Sequence, residues 1–233
     1  MMLMPIVNNP GDWGNVYAPL LHAEWHGATP TDMVFPFFVF IMGTAMLFST
    51  NENAGIDKAN FLKILTRSLR IFNLGLFLNF FSKIRIGEVE GIPLVMIKLV
   101  ISILVAYTLL GNFKPKIKLY TAIGLFVLMI GLCFSGIETY ASVRIPGVLQ
   151  RIGVVYFFAA LIFLGFNFRQ QLITGAALLF GYWAAMALIP IPGQSTGNYE
   201  IGTNLAAWLD NTLLPGHLWV TSKTWDPEGI LST

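Results

Sequence analysis

The chain has 233 residues, of which 55% are hydrophobic, 14% aromatic and only 11% charged, and its mean hydropathy is +0.68. A water-soluble domain of this size carries about a quarter charged residues, so the composition excludes an ordinary cytosolic enzyme and a disordered tail. The formal charge of +2 is too balanced for a nucleic-acid partner, and the single Cys133 excludes an internal disulfide framework and a cysteine-based metal site.

In chain order, the apolar stretch MMLMPIV at residues 1–7 is too short to span a bilayer and lacks the basic start of a signal peptide. It reads as the outer end of a truncated first helix. Six longer blocks follow, at Met33–Thr50, Leu65–Phe81, Ile92–Leu110, Leu119–Ser135, Val148–Phe166 and Leu172–Ile189. Each comes close to the roughly 20 residues that cross about 30 Å of hydrocarbon. The fold class expected is therefore all-α: a polytopic integral membrane bundle of about six complete spans plus the end of a truncated one. Residues 1–233 form one domain in this reading, incomplete at both ends and belonging to a longer membrane protein.

The connecting segments sort by charge. One set holds Lys58, Lys63, Arg67, Arg70, Lys114, Lys116, Lys118 and Arg169, with Glu52 and Asp57 as its acids. The other holds Asp12, Glu24, Asp32, Glu88, Glu90, Glu138, Glu200, Asp210, Asp226, Glu228 and all three histidines. Basic loops stay in the cytoplasm, so the second set faces the other side. Six spans make the two sets alternate.

The first outer loop, NNPGDWGNVYAPLLHAEWHGATPTD, concentrates more polar and aromatic groups than a connector requires. Histidine titrates near neutrality, so a histidine here is a natural general base or nucleophile. His22 and His26 would share one face of a helix, a spacing that also suits two metal ligands. HAEWHG is not the zinc-protease pattern and supplies no third ligand at a set spacing, so a metal is not expected. Trp13, Tyr17 and Trp25 fit an interfacial belt equally well.

Ionisable groups inside the spans are functional candidates by default. Lys98 either snorkels to a surface or meets an anionic ligand. Arg144 and Arg151 bracket RIPGVLQR, and Pro146 marks a helix start. Gln150 and Arg151 then face either a neighbouring acid or a substrate group. Arg67 and Arg70 suit anionic lipid. In the tail, His217, Trp225, Asp226 and Glu228 join Asn204, Trp208, Asp210 and Trp219 in a mixture that suits a sugar-binding site or an interfacial helix.

Four stretches carry a resemblance: VNNPGDW followed by HAEWHGATPTDMVFPFFVFIMG, then RSLRIFNLGLFLN, then RIPGVLQRIGVVY, then NLAAWLD through DPEGIL. In this order, and over most of Val7 to Leu231, the chain resembles the transmembrane heparan-α-glucosaminide N-acetyltransferase family and its bacterial relatives. The pair of spans from Ile92 to Ser135 is an insertion relative to the animal enzyme. The resemblance implies an acyltransferase that takes an acetyl group from cytoplasmic acetyl-CoA and delivers it to an amino sugar or related glycan across the membrane. It implies His22 as the active-site histidine and Asn8 as the loop asparagine. By residue type and placement, Trp25, His26, Asp32, Gln150, Arg151, His217, Trp225, Asp226 and Glu228 are the substrate-binding candidates. Where the animal enzyme has Asn, this chain has His26, which bears on amine or sugar specificity. The setting implied is a bacterial inner membrane with the site facing the periplasm, and a homodimer is compatible with it. The alternative from another class is a sugar transporter or permease subunit that uses the same outer aromatics.

Overall fold

The computed structural model describes residues 6, 7, 9, 11–49, 55–85 and 87–233. Among these residues the structure is all-helical, with no strand. Each of the six apolar blocks is a helix: α1 (Val34–Ser49), α2 (Lys58–Phe81), α3 (Gly91–Leu110), α4 (Pro115–Cys133), α5 (Val148–Gly165) and α6 (Phe168–Leu188). A seventh, α7 (Leu205–Leu213), lies in the polar tail. Four of them, α3 to α6, are long and apolar enough to cross a membrane, at 18 to 21 residues each. At about 1.5 Å per residue they match the hydrocarbon thickness. The chain is an integral membrane protein. Very little of α3 or α6 is buried inside the protein, because lipid covers the apolar faces that a soluble bundle would have to hide.

α1 is shorter, at 16 residues, and α2 is longer, at 24 residues. α2 starts seven residues before the apolar block does, since Asp57 caps it by accepting a hydrogen bond from the Asn60 amide at 2.7 Å. The first two turns carry Lys58 and Lys63, so this part is helical without being apolar. α6 likewise starts at an Asn167–Gln170 capping box rather than at the first run of apolar residues. Hydropathy marks what lies in lipid, whereas caps mark where the helix begins.

The chain divides into two compact units, Met1–Asn53 and Ala54–Thr233. The first holds 3₁₀ turns at Trp13–Asn15 and Ala18–Leu20, followed by a loop and α1. In the second, α2 is the central helix, packed mainly along α5 and α4 and more lightly on α3. Since lipid supplies no hydrophobic drive between helices, polar bonds and close approach hold them. Ser68 Oγ donates to the Gly153 carbonyl of α5 at 2.9 Å, and Asn73 Nδ2 to the Ala122 carbonyl of α4 at 2.7 Å. Leu76, Phe77, Phe80, Ile84, Met129, Cys133, Val143 and Ile145 fill the core at one end of this contact.

α2 and α5 approach most tightly at Gly75, where an added Cβ would lie 2.7 Å from Leu149 Cβ and against Gln150 Oε1. Gly75→Ala is therefore expected to overpack the contact, at a cost of about 1–3 kcal/mol. Thermal unfolding in detergent measures it; an unchanged midpoint would show that the two helices can part freely here.

Candidate functional site

The first unit builds a site around one carboxylate. Asp32 Oδ2 accepts hydrogen bonds from the backbone amides of Thr29 at 2.8 Å and Ala23 at 3.2 Å. Thr29 Oγ1 stands 2.9 Å from the same oxygen and 2.7 Å from the Leu21 carbonyl, with one proton for the two acceptors. Below it, Thr31 is buried and its hydroxyl donates to the Pro19 carbonyl at 3.2 Å. The loop from Leu21 to Asp32 is thus wrapped onto a single side chain at the entrance to α1.

The other oxygen, Oδ1, is 2.7 Å from His22 Nδ1. Hydrogen bonds from the Thr29 amide, then from His22, hold the Asp32 carboxyl far below the usual carboxylate range. An ionised carboxylate only accepts, so Nδ1 carries a proton, and in the neutral ring the lone pair is on Nε2. The His22 side chain is 64% exposed, which leaves that lone pair accessible. The carboxylate lies behind the ring and orients it, with the second ring nitrogen on the far side.

His22 and His26 do not share a helical face. Residues 21–27 form bends rather than helix, because the Ala23 and Thr29 amides are bonded to Asp32 instead of to a preceding turn. Trp25 and His26 lie on the exposed side of this loop. Asp12 is occupied as a cap, accepting from the Gly14 amide at 2.9 Å; this bond and one from Asn15 lower its carboxyl below the usual range. Asn8 lies outside the described residues. Among the described residues no three His, Cys, Asp or Glu side chains come together as metal ligands.

A second cluster forms in the second unit, where the C-terminal loop meets the segment before α5. Arg144 donates from Nε to Asp226 Oδ2 at 2.8 Å and from Nη2 to Asp226 Oδ1 and Glu228 Oε2. The Asp226 side chain is completely buried. Burial pushes the Glu228 carboxyl up, opposed by Arg144. Asp210, at the end of α7 and also buried, accepts from the Ile230 amide at 2.8 Å and the Asp226 amide at 3.3 Å. Its carboxyl is likewise pushed up by burial. Arg151 donates from Nη2 to the Ser232 carbonyl.

Gln150, Arg151 and Glu228 line a cavity of about 170 Å³ whose remaining wall is mostly apolar, from Phe72, Ile145, Val154 and Leu214. Gln150 is buried, and its Nε2 has no hydrogen-bond partner among the described residues. His217 is buried beside this cluster. It donates from Nδ1 to the Val143 carbonyl at 2.7 Å, and its own carbonyl accepts from the Ile145 amide at 2.9 Å. It therefore ties two loops together. Trp225 packs edge-on to Trp219 at 5.7 Å between ring centres.

The sequence reading named Asp32 and His22 separately and missed their pairing and the part of Thr29. The available signal was the Thr-x-x-Asp run at Thr29–Asp32, whose side chain reaches back to the amide three residues earlier. Arg144, for which the sequence suggested no partner, is the arginine that pairs with Asp226 and Glu228. Arg67 lies with its guanidinium 4.9 Å over the Tyr156 ring.

No protein-family model matches the chain. Over an alignment of 278 residues that covers the whole chain, it is 28% identical to the human heparan-alpha-glucosaminide N-acetyltransferase and 26% identical to the mouse protein of the same name. The alignment covers 34% of each, so the chain spans about a third of the length of the curated relatives it matches.

Proposed function

We propose that this chain carries the acetyl-transferring part of a membrane N-acetyltransferase, moving an acetyl group from acetyl-CoA to the amine of a glucosamine-type sugar. The observation that carries the reading is the His22–Asp32 pair, with an exposed Nε2 held ready by a buttressed carboxylate. The similarity to two proteins named as glucosaminide N-acetyltransferases supports the substrate class. A permease has no evident use for an imidazole oriented in this way.

A sugar ammonium must lose a proton before it attacks a thioester. In the direct route Nε2 of His22 takes that proton; the amine nitrogen bonds the acetyl carbon, and the C–S bond breaks to release CoA as its thiol. In the two-step route Nε2 bonds the acetyl carbon first and the C–S bond breaks to release CoA, leaving an acetyl-imidazolium; the deprotonated amine then bonds the acetyl carbon as its bond to Nε2 breaks. Asp32 stabilises the imidazolium or acyl-imidazolium in either case. Asn8 is the proposed donor to the thioester oxygen as charge develops on it. Trp25 and His26 are the proposed acceptor contacts on the exposed side of the loop. The donor enters from the cytoplasm and the acceptor from the opposite side, in a bacterial inner membrane with the site toward the periplasm.

The full-length protein, supplied with acetyl-CoA and a panel of amino sugars, should give an acetylated sugar by mass spectrometry, and His22→Ala should give none while still inserting. Sugar uptake into vesicles without acetyl-CoA would replace this reading with the transporter.

The cavity at Gln150, Arg151 and Glu228 is a proposed substrate-binding element, with Asp226, His217 and Trp225 holding its walls. An unsatisfied buried donor costs about 1–3 kcal/mol, and a ligand carbonyl would offset that cost. Gln150→Met should therefore raise the melting temperature of the ligand-free protein and raise KM for one substrate. A variant that is more stable with unchanged KM would remove Gln150 from the binding site.

A further inference from the structure

Two cations, Lys83 and Arg85, share a cleft after the C-terminal end of α2 and a third, Lys98, lies over its last residue; none has a carboxylate partner among the described residues. Lys83 and Arg85 follow α2 directly and line an open cleft of about 470 Å³ together with Ser82, Glu138, Thr139 and Ser142. Lys98, one-third of the way along α3, brings its ammonium over the ring of Phe81, the last residue of α2, at 5.5 Å from the centroid. A lysine in a span is costly and calls for an explanation. Here its stem carries the charge to the same corner where Ser82 begins the cleft.

The cleft has a defined polarity. Lys83 Nζ donates to Ser142 Oγ at 3.1 Å, which fixes the ammonium at the wall and leaves it further protons to donate. Ser82, Thr139 and Ser142 add hydroxyls. Glu138 shares the cleft yet forms no ion pair with either cation among the described residues. A cleft that holds both signs without an ion pair between them suits a ligand that itself carries both signs. Exposed apolar side chains stand next to the cleft residues in the chain: Phe81 precedes Ser82, Ile137 precedes Glu138, and Phe134 follows α4. In a membrane protein, exposed rings at a helix end mark where acyl chains give way to headgroups.

We propose that this cleft seats one glycerophospholipid whose headgroup pairs a phosphate with a primary ammonium, as in phosphatidylethanolamine. The phosphate lies against Lys83 and Arg85 with the cleft hydroxyls, the ammonium meets Glu138, and the acyl chains run down the exposed face beside Phe81 and Phe134. A choline headgroup fits less well because its quaternary nitrogen has no proton for Glu138. A glycerol headgroup fits less well because it leaves Glu138 facing a net anion.

Native mass spectrometry of the full-length protein, offered equal amounts of phosphatidylethanolamine, phosphatidylcholine and phosphatidylglycerol in detergent, tests this. The wild type should retain phosphatidylethanolamine preferentially. Lys83→Ala with Arg85→Ala should weaken that retention by about thirtyfold, while the control Lys116→Ala with Lys118→Ala should not change it. Glu138→Gln should abolish the preference for phosphatidylethanolamine over phosphatidylglycerol without weakening phosphatidylglycerol. None of these side chains belongs to the buried core, so loss of retention is not loss of fold. Equal retention of the three lipids by the wild type would overturn the proposal. So would undiminished retention by the double alanine variant, or displacement of the lipid by millimolar inorganic phosphate, which would assign the cleft to a free anion.

Discussion

Asp32→Asn is expected to lower acetyl transfer by roughly a hundred- to ten-thousandfold while leaving helix content and membrane insertion unchanged. The reason lies in the count of donors around the side chain. The Thr29 and Ala23 amides and the Thr29 hydroxyl face Oδ2, and only His22 faces Oδ1. An asparagine will turn its carbonyl oxygen toward the larger group of donors. Its NH₂ then points at His22 Nδ1, which must accept. The proton moves to Nε2, and the reactive nitrogen loses the lone pair it needs as base or nucleophile. KM should change little, because the loop keeps its shape. Adding His22→Ala should cost little beyond the more severe single variant, since both remove one working unit. An Asp32→Asn enzyme within about threefold of wild type would mean that His22 acts without its carboxylate. The same bonds fix the pH behaviour. A carboxyl held below its ordinary range contributes stability that is present above that range and is lost only as pH falls through the lowered native value. Hydrogen exchange at the Thr29 amide should therefore stay protected through mildly acidic pH.

The helices were legible because a membrane makes hydropathy a direct record of what must be buried in lipid. Ile92–Leu110 and Val148–Phe166 each fall within one or two residues of α3 and α5. Where helix extends beyond lipid, hydropathy is silent, and the signal passes to caps such as Asp57 and Asn167. α7 was open only as one of two readings of the tail, without bounds, for the same reason: it is a nine-residue helix started by Asn204 accepting from the Ala207 amide. At the candidate site, residue type pointed to His22, but the ten-residue separation from Asp32 follows no helical or strand period. It is set by a loop closed on a carboxylate. The tail shows the opposite difficulty. His217, Asp226 and Glu228 read as ligand groups by type, but type does not show the protein groups that position them, the Val143 carbonyl for His217 and Arg144 for the two acids. Partners far apart in sequence decide such roles.

Arg144→Ala is expected to destabilise the protein by about 3–5 kcal/mol, lowering the melting temperature by roughly 10 °C. It strips the cation from Asp226, whose side chain is fully buried, and from Glu228, which is nearly so. The size of the loss should depend on pH in a defined direction. Arg144 faces Asp226 and Glu228, Arg151 faces Glu228, Asp210 faces Asp226, and burial raises the Asp210 and Glu228 carboxyls above their ordinary values. A raised carboxyl contributes stability that is fully present below its unfolded pKa and is lost as pH rises through the native one. The Arg144→Ala deficit should therefore be largest near pH 8 and shrink toward pH 5, as Glu228 takes up a proton in place of the missing guanidinium. Gly229→Ala provides the contrast. A Cβ there would lie 2.6 Å from Asp210 Cγ, so the backbone that donates to Asp210 has to shift whatever the charge on the cluster. Its deficit should be similar at both pH values. Thermal unfolding of the two variants in one detergent separates the effects: parallel pH dependence would show that the loop is held by packing alone, whereas divergence assigns its stability to the buried ion pairs.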